Sequence, residues 1–359
     1  MSKQKYKTID LFAGIGGIRL GFEMTKRIKN LFSAEIDKYA CQTYEFNFGD
    51  NPFCDVTAVK TEDIPNFDIL LAGFPCQAFS IAGKRCGFDD TRGTLFFDVA
   101  RIIKDKRPKA FFLENVKGLL SHNKGTTFKT ILKVLNELNY EVFSEVLNSK
   151  DYGVPQNRER IYIIGFDRKR YENMEIQYDF PKALKRQVIL KDILDPFEVS
   201  NKYYLSQQYL DTLKSHKERH ANKGNGFGYN ILDPKGIANA IVVGGMGRER
   251  NLLIDKKLKD FKPMTNKKGG INKEFIRTLT PREWARLQGY PDSYQIPVSD
   301  TQAYKQFGNS VTVPVINQIA KSIIKKIDIF EQQINDLKNI NDNIVLKSVQ
   351  KFEEKSIAV

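Results

Sequence analysis

The segment Gly73-Phe74-Pro75-Cys76-Gln77 follows the apolar run 68–72, so Cys76 falls in a loop at the end of a strand. A thiol there, close to positive potential or a helix N-terminus, favours the thiolate and could act as a nucleophile. The plainer alternative is a small buried hydrophobe, the reading that Cys41, Cys54 and Cys86 keep. Glu114 follows Ala110-Phe111-Phe112-Leu113. A carboxylate carried on so apolar a run sits near a desolvated cleft, where its pKa rises and it can donate a proton or hold a ring nitrogen. It could equally cap the next helix. In Gln156-Asn157-Arg158-Glu159-Arg160 the arginines are two apart, so an extended backbone points them the same way. Planar guanidinium donors suit a base carbonyl or a phosphate, and the alternative is a pair of surface arginines. Finally, Asp10-Leu11-Phe12-Ala13-Gly14-Ile15-Gly16-Gly17 lets backbone approach a ligand at a helix start, with Glu35 placed downstream to take ribose hydroxyls. The spacing is not Gly-x-Gly-x-x-Gly, which disfavours a nicotinamide cofactor.

These residues need elements to position them. Strand-like runs fall at 8–12, 31–34, 68–72, 110–114, 142–147 and 160–166, and Phe128, Ile131, Leu132, Leu135 and Leu138 form one helical face. The alternation predicts an α/β fold with an open, mostly parallel sheet, whose ligands bind beyond the carboxyl ends of the strands. The pattern weakens over 181–280, where glycine-rich turns and short strand-like pieces suggest a second domain. Pro281 opens a short helix, regular pattern returns at 311–326, and Ile327, Phe330, Ile334 and Leu337 mark an amphipathic tail helix.

Charge follows the same division. Of the chain's net +14 over 359 residues, segment 181–280 contributes +10, from 20 basic and 10 acidic residues. A local surplus of this size favours a polyanion, most often nucleic acid, against the alternative of a solvated basic surface. No apolar run approaches the length of a membrane span. The start runs directly into a strand-like segment, which predicts no signal peptide, and the four unevenly spaced cysteines predict neither a disulfide framework nor a zinc site. A reducing cytoplasm is the expected setting. His122, His216 and His220 show no metal-ligand spacing.

Taken in order, Phe12-Ala13-Gly14-Ile15-Gly16-Gly17, residues 73–80, Glu114-Asn115-Val116, residues 156–160, residues 277–290 and Gly308-Asn309-Ser310-Val311 resemble the ordered motifs of the DNA cytosine C5-methyltransferases. The resemblance runs from about Ile9 to Ile324. It implies a Rossmann-like S-adenosylmethionine-dependent methyltransferase sheet with a smaller, mostly β or irregular target-recognition domain. The corresponding division is a catalytic domain at 1–184 to which 304–330 returns, a recognition domain at 185–280, a hinge region at 281–303 and a helical tail at 331–359.

The resemblance further implies methylation of a cytosine flipped out of duplex DNA, through a covalent bond from Cys76 to C6. Glu114 would hold N3 and the amine, Arg160 would hold O2, and Arg158 would support Cys76 or the base. For S-adenosylmethionine, which leaves as S-adenosylhomocysteine, the matching positions are Phe12, Ala13, Gly14, Gly16, Gly17, Glu35, Ile36, Asp55, Val56, Pro75, Leu95, Asn309 and Ser310. No metal is implied. Ile36 departs from relatives with an aromatic residue there, and Ala82 from relatives with Ser. Ser80, Lys84, Arg85 and Arg92 match a loop that closes on DNA, and Arg248 and Arg250 are candidates for guanine or phosphate contacts. Residues 217–220, 223–229, 236–251 and 296–310 resemble a branch of the family that modifies the inner cytosine of CCGG. The expected partners are double-stranded DNA and, for a restriction-modification pair, an endonuclease acting on the same site; a solitary methylase is the other arrangement. A monomer is expected. The competing readings are another short DNA target, a tRNA cytosine methyltransferase and a non-catalytic DNA-binding module.

Overall fold

The computed structural model describes residues 5–75, 95–185, 187–262 and 267–357, and side chains up to Leu337 and at Asn339. Its centre is a six-stranded sheet. Strands β1 (Tyr6–Leu11), β2 (Ile28–Ala34), β3 (Ile69–Ala72), β4 (Ala110–Val116), β5 (Tyr140–Asn148) and β7 (Glu159–Asp167) lie in the order β2-β1-β3-β4-β7-β5, with a two-residue strand β6 (Gln156–Asn157) just before β7. The pairs β1–β2, β1–β3 and β3–β4 are parallel, whereas β7 is antiparallel to both neighbours. Leu11 is in register with Ala34 and Ala72, and Ala72 with Leu113, so these strands end along one edge.

In a mostly parallel sheet, residues bound for the ligand edge are expected at carboxyl ends of strands, and the reversal of β7 departs from that. Arg158 and Arg160 lie at the amino end of their strand, not at a carboxyl end. Because β7 runs backwards, with Arg160 opposite Val116 of β4, that amino end meets the same edge.

Both sheet faces are covered. On one, Tyr6, Phe112, Tyr162 and Ile164 pack on Ile18 and Phe22 of α1 (Gly17–Glu23) and on Ile316, Ile319, Ile323 and Ile327 of a long C-terminal helix. On the other, Ile9, Leu70, Phe111 and Ile163 meet α3 (Leu95–Lys106) and α4 (Thr126–Glu137). Gly165 has a packing reason: a Cβ there would stand 2.1 Å from the Phe111 ring. Helix α2 (Lys38–Phe48) begins at Asp37, whose carboxylate accepts the amides of Tyr39 and Ala40.

The region after 185 is less regular. It contains α5 (Gln207–Ala221) and the short strands β8 (Ala238–Asn239), β9 (Leu252–Ile254) and β10 (Ile276–Thr278); β8 pairs with β6 and β9 with β10. The fifteen-residue α5 was not expected from the sequence, because it buries just Leu210 and Leu213 and is otherwise polar. Its start is set by Ser206, which accepts the amide of Tyr209.

Two further helices, α6 (Pro281–Leu287) and α7 (Asp300–Asn309), lead into α8 (Val313–Ile357), a single 45-residue helix that joins the expected returning segment and tail without a break. Asp328 on α8 pairs with Arg27 and accepts from Tyr6, and Glu331 pairs with Lys109 and Arg170, so polar contacts fix the helix where its apolar stripe ends. Among the described residues no helix is long and apolar enough to cross a membrane.

Leu232, Ala238, Ile241 and Leu253 share a core with Trp284, Leu287, Phe307 and Val313. Beside it, fully buried Arg277 donates to both oxygens of fully buried Glu283 and to Asp255. Glu283 also closes a capping box with Thr280, which explains why α6 starts at Pro281. Removing one partner strands a buried charge. Glu283→Ala is therefore expected to cost about 3–5 kcal/mol in denaturant unfolding, and a loss below about 1 kcal/mol would show the cluster to be solvated.

Candidate active site

The aligned strand ends open onto one cavity of about 500 Å³. At its floor the chain leaves β1 with Phe12 at φ 54°, Gly14 at 54° and Gly16 at 76°. This tight path turns the Gly14 amide onto Glu35, whose Oε2 accepts it at 2.7 Å, while Oε1 accepts the amides of Ile36 and Asp37, each at 2.8 Å. Gly17 lines the cavity and also needs its missing side chain, since a Cβ would meet the Tyr290 hydroxyl at 2.4 Å. Gly16 instead backs onto Phe48, 2.2 Å from where its Cβ would be.

Phe12, Ala13, Gly14, Glu35, Ile36, Asp55, Val56, Pro75, Leu95, Asn309 and Ser310 all border this space, where strand-end loops and α7 converge. Ile36 stands at the rim, 67 % exposed. Asp55 accepts the hydroxyl and amide of Thr57, and these hydrogen bonds hold its carboxyl below the ordinary range. Beneath the loop, Asp10 is fully buried, and neither of its oxygens has a hydrogen-bond partner among the described residues. Burial raises its pKa well above the usual carboxyl value, against the opposing pull of Arg19.

Glu114 enters from the sheet side. Burial pushes its carboxyl up, while Arg160, with Nε 3.2 Å from Oε1, and then Arg158 pull it down. The next residue, Asn115, donates through Nδ2 to the Phe74 carbonyl at 2.9 Å. This bond ties the end of β4 to the Gly73-Phe74-Pro75 loop, one of the site's links that sequence reasoning missed. Cys76 follows directly; it lies outside the described residues, as do Ser80, Ala82, Lys84, Arg85 and Arg92.

Arg158 borders the same cavity but points its guanidinium into protein. It donates to the carbonyls of Ile241 (2.7 Å), Gly308 (3.1 Å) and Ser310 (2.6 Å), and its Nε has no partner among the described residues. Its two-residue offset from Arg160 therefore gives one clamp and one cavity cation, where the alternation had both facing the cleft. Lys305 and Gln306 were also missed. Both line the cavity from α7, and Lys305 pairs with Asp37 at 2.6 Å. Their signal was proximity to the Gly308-Asn309-Ser310 motif on the same helix.

Away from the cavity, Arg248 and Arg250 are exposed on either side of buried Glu249, whose Oε1 accepts the Tyr209 hydroxyl. His122 bonds to Thr127 through Nδ1, and the rings of His216 and His220 lie 4.4 Å apart on α5. Among the described residues no group of three or more His, Cys, Asp or Glu side chains could hold a metal ion.

Comparison with known proteins decides the family. Residues 6–325 match the family described as C-5 cytosine-specific DNA methylase. The chain belongs to it. It is 60% identical over 329 residues to the type II methyltransferase M.HpaII of Haemophilus parainfluenzae, covering 90% of this chain and 91% of that protein. It is 50% identical over 325 residues to M1.ScrFI of Lactococcus lactis subsp. cremoris, covering 90% of this chain and 79% of that protein. Among solved structures, the Entamoeba histolytica methyltransferase EhMeth superposes with a TM-score of 0.69 at 20% identity, covering 90% of this chain and 99% of the other, a likeness of fold. The protein is thus a DNA (cytosine-5-)-methyltransferase with the expected α/β methyltransferase fold.

In this methyltransferase Asn115 can be tested separately from the groups around it. Asn115→Ala frees the Phe74 carbonyl; it is expected to cost about 1–3 kcal/mol in stability and to lower the methylation rate about 10-fold or more, with cofactor affinity changed less than about 2-fold. Equal losses in rate and cofactor affinity would place Asn115 in general support of the fold.

Proposed function

We propose that the methyltransferase modifies the inner cytosine of CCGG in duplex DNA, through a transient bond from Cys76 to C6 of a flipped base. The carrying observation is the placement of Glu114: a buried carboxyl with raised proton affinity, beside Arg160, tied through Asn115 to the loop that leads into Cys76. The CCGG target rests on the resemblance of segments 217–220, 223–229, 236–251 and 296–310 to that branch of the family.

The cavity suits S-adenosylmethionine. Phe12, Val56 and Ile36 supply apolar walls for an adenine, with Asp55 beside them, and the Glu35 carboxylate could accept a ribose diol. Gly14, Gly17, Asn309 and Ser310 offer backbone and polar groups toward the methionine end. The bound cofactor supplies an electrophilic methyl group.

Cytosine C5 is a weak nucleophile, so the ring must first be enriched. Cys76 thiolate adds to C6, and electron density moves through the ring toward N3. Glu114 offers its proton to N3 and accepts from the exocyclic amine, offsetting charge as it develops. Arg160 keeps Glu114 oriented and presents donors to O2. After C5 gains the methyl group, a water molecule takes the C5 proton, the freed electron pair forms the C5–C6 double bond as the Cys76–C6 bond breaks, and N3 returns its proton to Glu114, restoring the ring, the thiolate and the carboxyl. The flipping step costs a few kcal/mol of unstacking. We assign Ser80, Lys84, Arg85 and Arg92 to the loop that meets the DNA backbone there, segment 185–280 to target recognition, and 281–303 to its connection with the catalytic lobe. The enzyme is read as a cytoplasmic monomer, alone or with an endonuclease of the same specificity.

Bisulfite mapping of DNA from cells expressing the protein should show the inner cytosine of CCGG modified, and cells expressing Cys76→Ala should show none. Methylation at another sequence would overturn the target, and methylation by the Cys76→Ala variant would overturn the covalent route.

Glu114→Gln should lower kcat about 100-fold or more, the scale of a lost general acid. Its pH profile carries the sign. Burial raises Glu114, so the proton it offers persists above the ordinary carboxyl range and is lost as pH climbs past the raised value. The ratio of wild-type to Glu114→Gln rates, in which the Cys76 titration cancels, should therefore fall with rising pH; a flat ratio would remove proton donation from the scheme.

A further inference from the structure

Arg248 and Arg250 both come from the basic recognition segment and both are exposed. The backbone around them is fixed by buried neighbours: Glu249 accepts from Tyr209, and Asn251, with no exposed surface, accepts the amide of Asn239. Beyond that backbone, the Arg248 guanidinium carbon stands 5.3 Å above the centre of the Tyr304 ring. Tyr304 does not belong to the recognition segment. It lies on α7, the helix that ends at the cavity-lining Asn309 and Ser310.

Tyr304 is itself rigidly set. It is 8% exposed, its hydroxyl donates to the Leu279 carbonyl at 2.6 Å, and its ring packs edge-on against buried Trp284 with centroids 4.9 Å apart. The face left over carries Arg248. Beside it opens a groove of about 550 Å³, bordered by Arg248, Glu249, Tyr209, Lys202 and Lys268. A guanidinium stacked on an aromatic face keeps its in-plane N–H donors free. Those donors suit the O6 and N7 pair of guanine in the major groove.

We propose that Tyr304 is a positioning residue for target readout: it holds the Arg248 guanidinium over its ring by a cation–π contact, so that the arginine is indexed to the catalytic lobe and its donors meet a guanine of the site. This rests on the reading of Arg248 as a base contact and extends it by naming what aims that residue. The physical need is geometric. The guanine being read and the cytosine being flipped belong to one short duplex, so the reading arginine must keep a fixed offset from the catalytic cavity. A long, rotatable side chain held by its own loop alone does not provide that. The Tyr304 ring on α7 does.

The test uses the full-length enzyme and synthetic duplexes containing CCGG or single-base variants of it, and compares kcat/KM for the two. This ratio is independent of the fraction of enzyme that is folded, so a partly unfolded variant still reports. Arg248→Ala should reduce discrimination at one base pair about 10- to 100-fold, the scale of a lost bidentate guanine contact. Tyr304→Leu, which removes the aromatic face, should reduce discrimination at that same base pair about 2- to 5-fold, whereas Tyr304→Phe, which keeps the face, should restore the wild-type ratio. If Arg248→Ala matters and Tyr304→Leu leaves the ratio unchanged, or if Tyr304→Phe loses as much as Tyr304→Leu, the positioning role is wrong. If Arg248→Ala leaves discrimination intact at every position, the base-contact reading fails, and the proposal with it.

Discussion

The buried guanidinium of Arg158 is the constraint on which the site depends. Taking a cation out of water costs several kcal/mol unless its donors are met. Here the two terminal nitrogens are met by carbonyls from separate parts of the chain, Ile241 in the basic segment and Gly308 and Ser310 at the end of α7, while Nε has no partner among the described residues. The clamp therefore sets the distance between the sheet edge, the basic segment and the wall of the cavity. Neighbouring amides repeat the connection. Gln156 donates to the Leu287 carbonyl and accepts the amide of Ile241, while Gln288 donates to the Phe307 carbonyl and accepts from Thr312. Each of these groups would be costly to leave unpaired, so the segments hold one arrangement.

That arrangement gives two arginines of one short motif opposite duties. The reversal of β7 carries both to the edge where the parallel strands end, but the side chains then diverge. Arg158 goes inward to backbone, and Arg160 goes to Glu114. The carboxyl is thereby left between competing influences, burial favouring its proton and Arg160 favouring its charge. On the proposed function, a base entering the cavity removes more water from Glu114 and gives the proton a place to go, so the conflict leaves Glu114 responsive to the substrate rather than fixed in either form.

Much of this was legible in the sequence, for identifiable reasons. The strands buried on both faces are nearly continuous apolar runs, such as Ala110-Phe111-Phe112-Leu113, and they show without knowledge of partners. Residues at their ends could be assigned to the cavity because strand ends of such sheets share an edge. The strand reversal could not be read, since the pattern of β7 is equally apolar whichever way it runs. Neither could the inward turn of Arg158, because its partners are carbonyls, which every residue has. Helix α5 was hidden by a surface so polar that Leu210 and Leu213 alone carry its buried stripe. The continuity of α8 was obscured because the apolar stripe that packs on the sheet, from Ile316 to Phe330, changes along one unbroken helix.

The charge division takes on a structural meaning in the same frame. The +10 of segment 181–280 can draw in DNA by its phosphates, but phosphate attraction carries no sequence and tolerates sliding. Reading a site and modifying one base within it requires that the basic segment not slide relative to the cavity. The segment is fixed at successive depths. Arg158 holds Ile241, a Cβ on Gly308 would meet Val243 at 2.8 Å, and Leu232, Ile241 and Leu253 share their core with Trp284 and Phe307. Gly308 is thus needed for close approach at the point where the basic segment and the wall of the cavity touch. Segment 281–303 is tied into this arrangement through α6: Trp284, Ala285 and Leu287 are buried in the shared core, and Glu283 is paired with Arg277. The electrostatic attraction is delocalised, whereas the connection to the cavity is made through specific buried contacts.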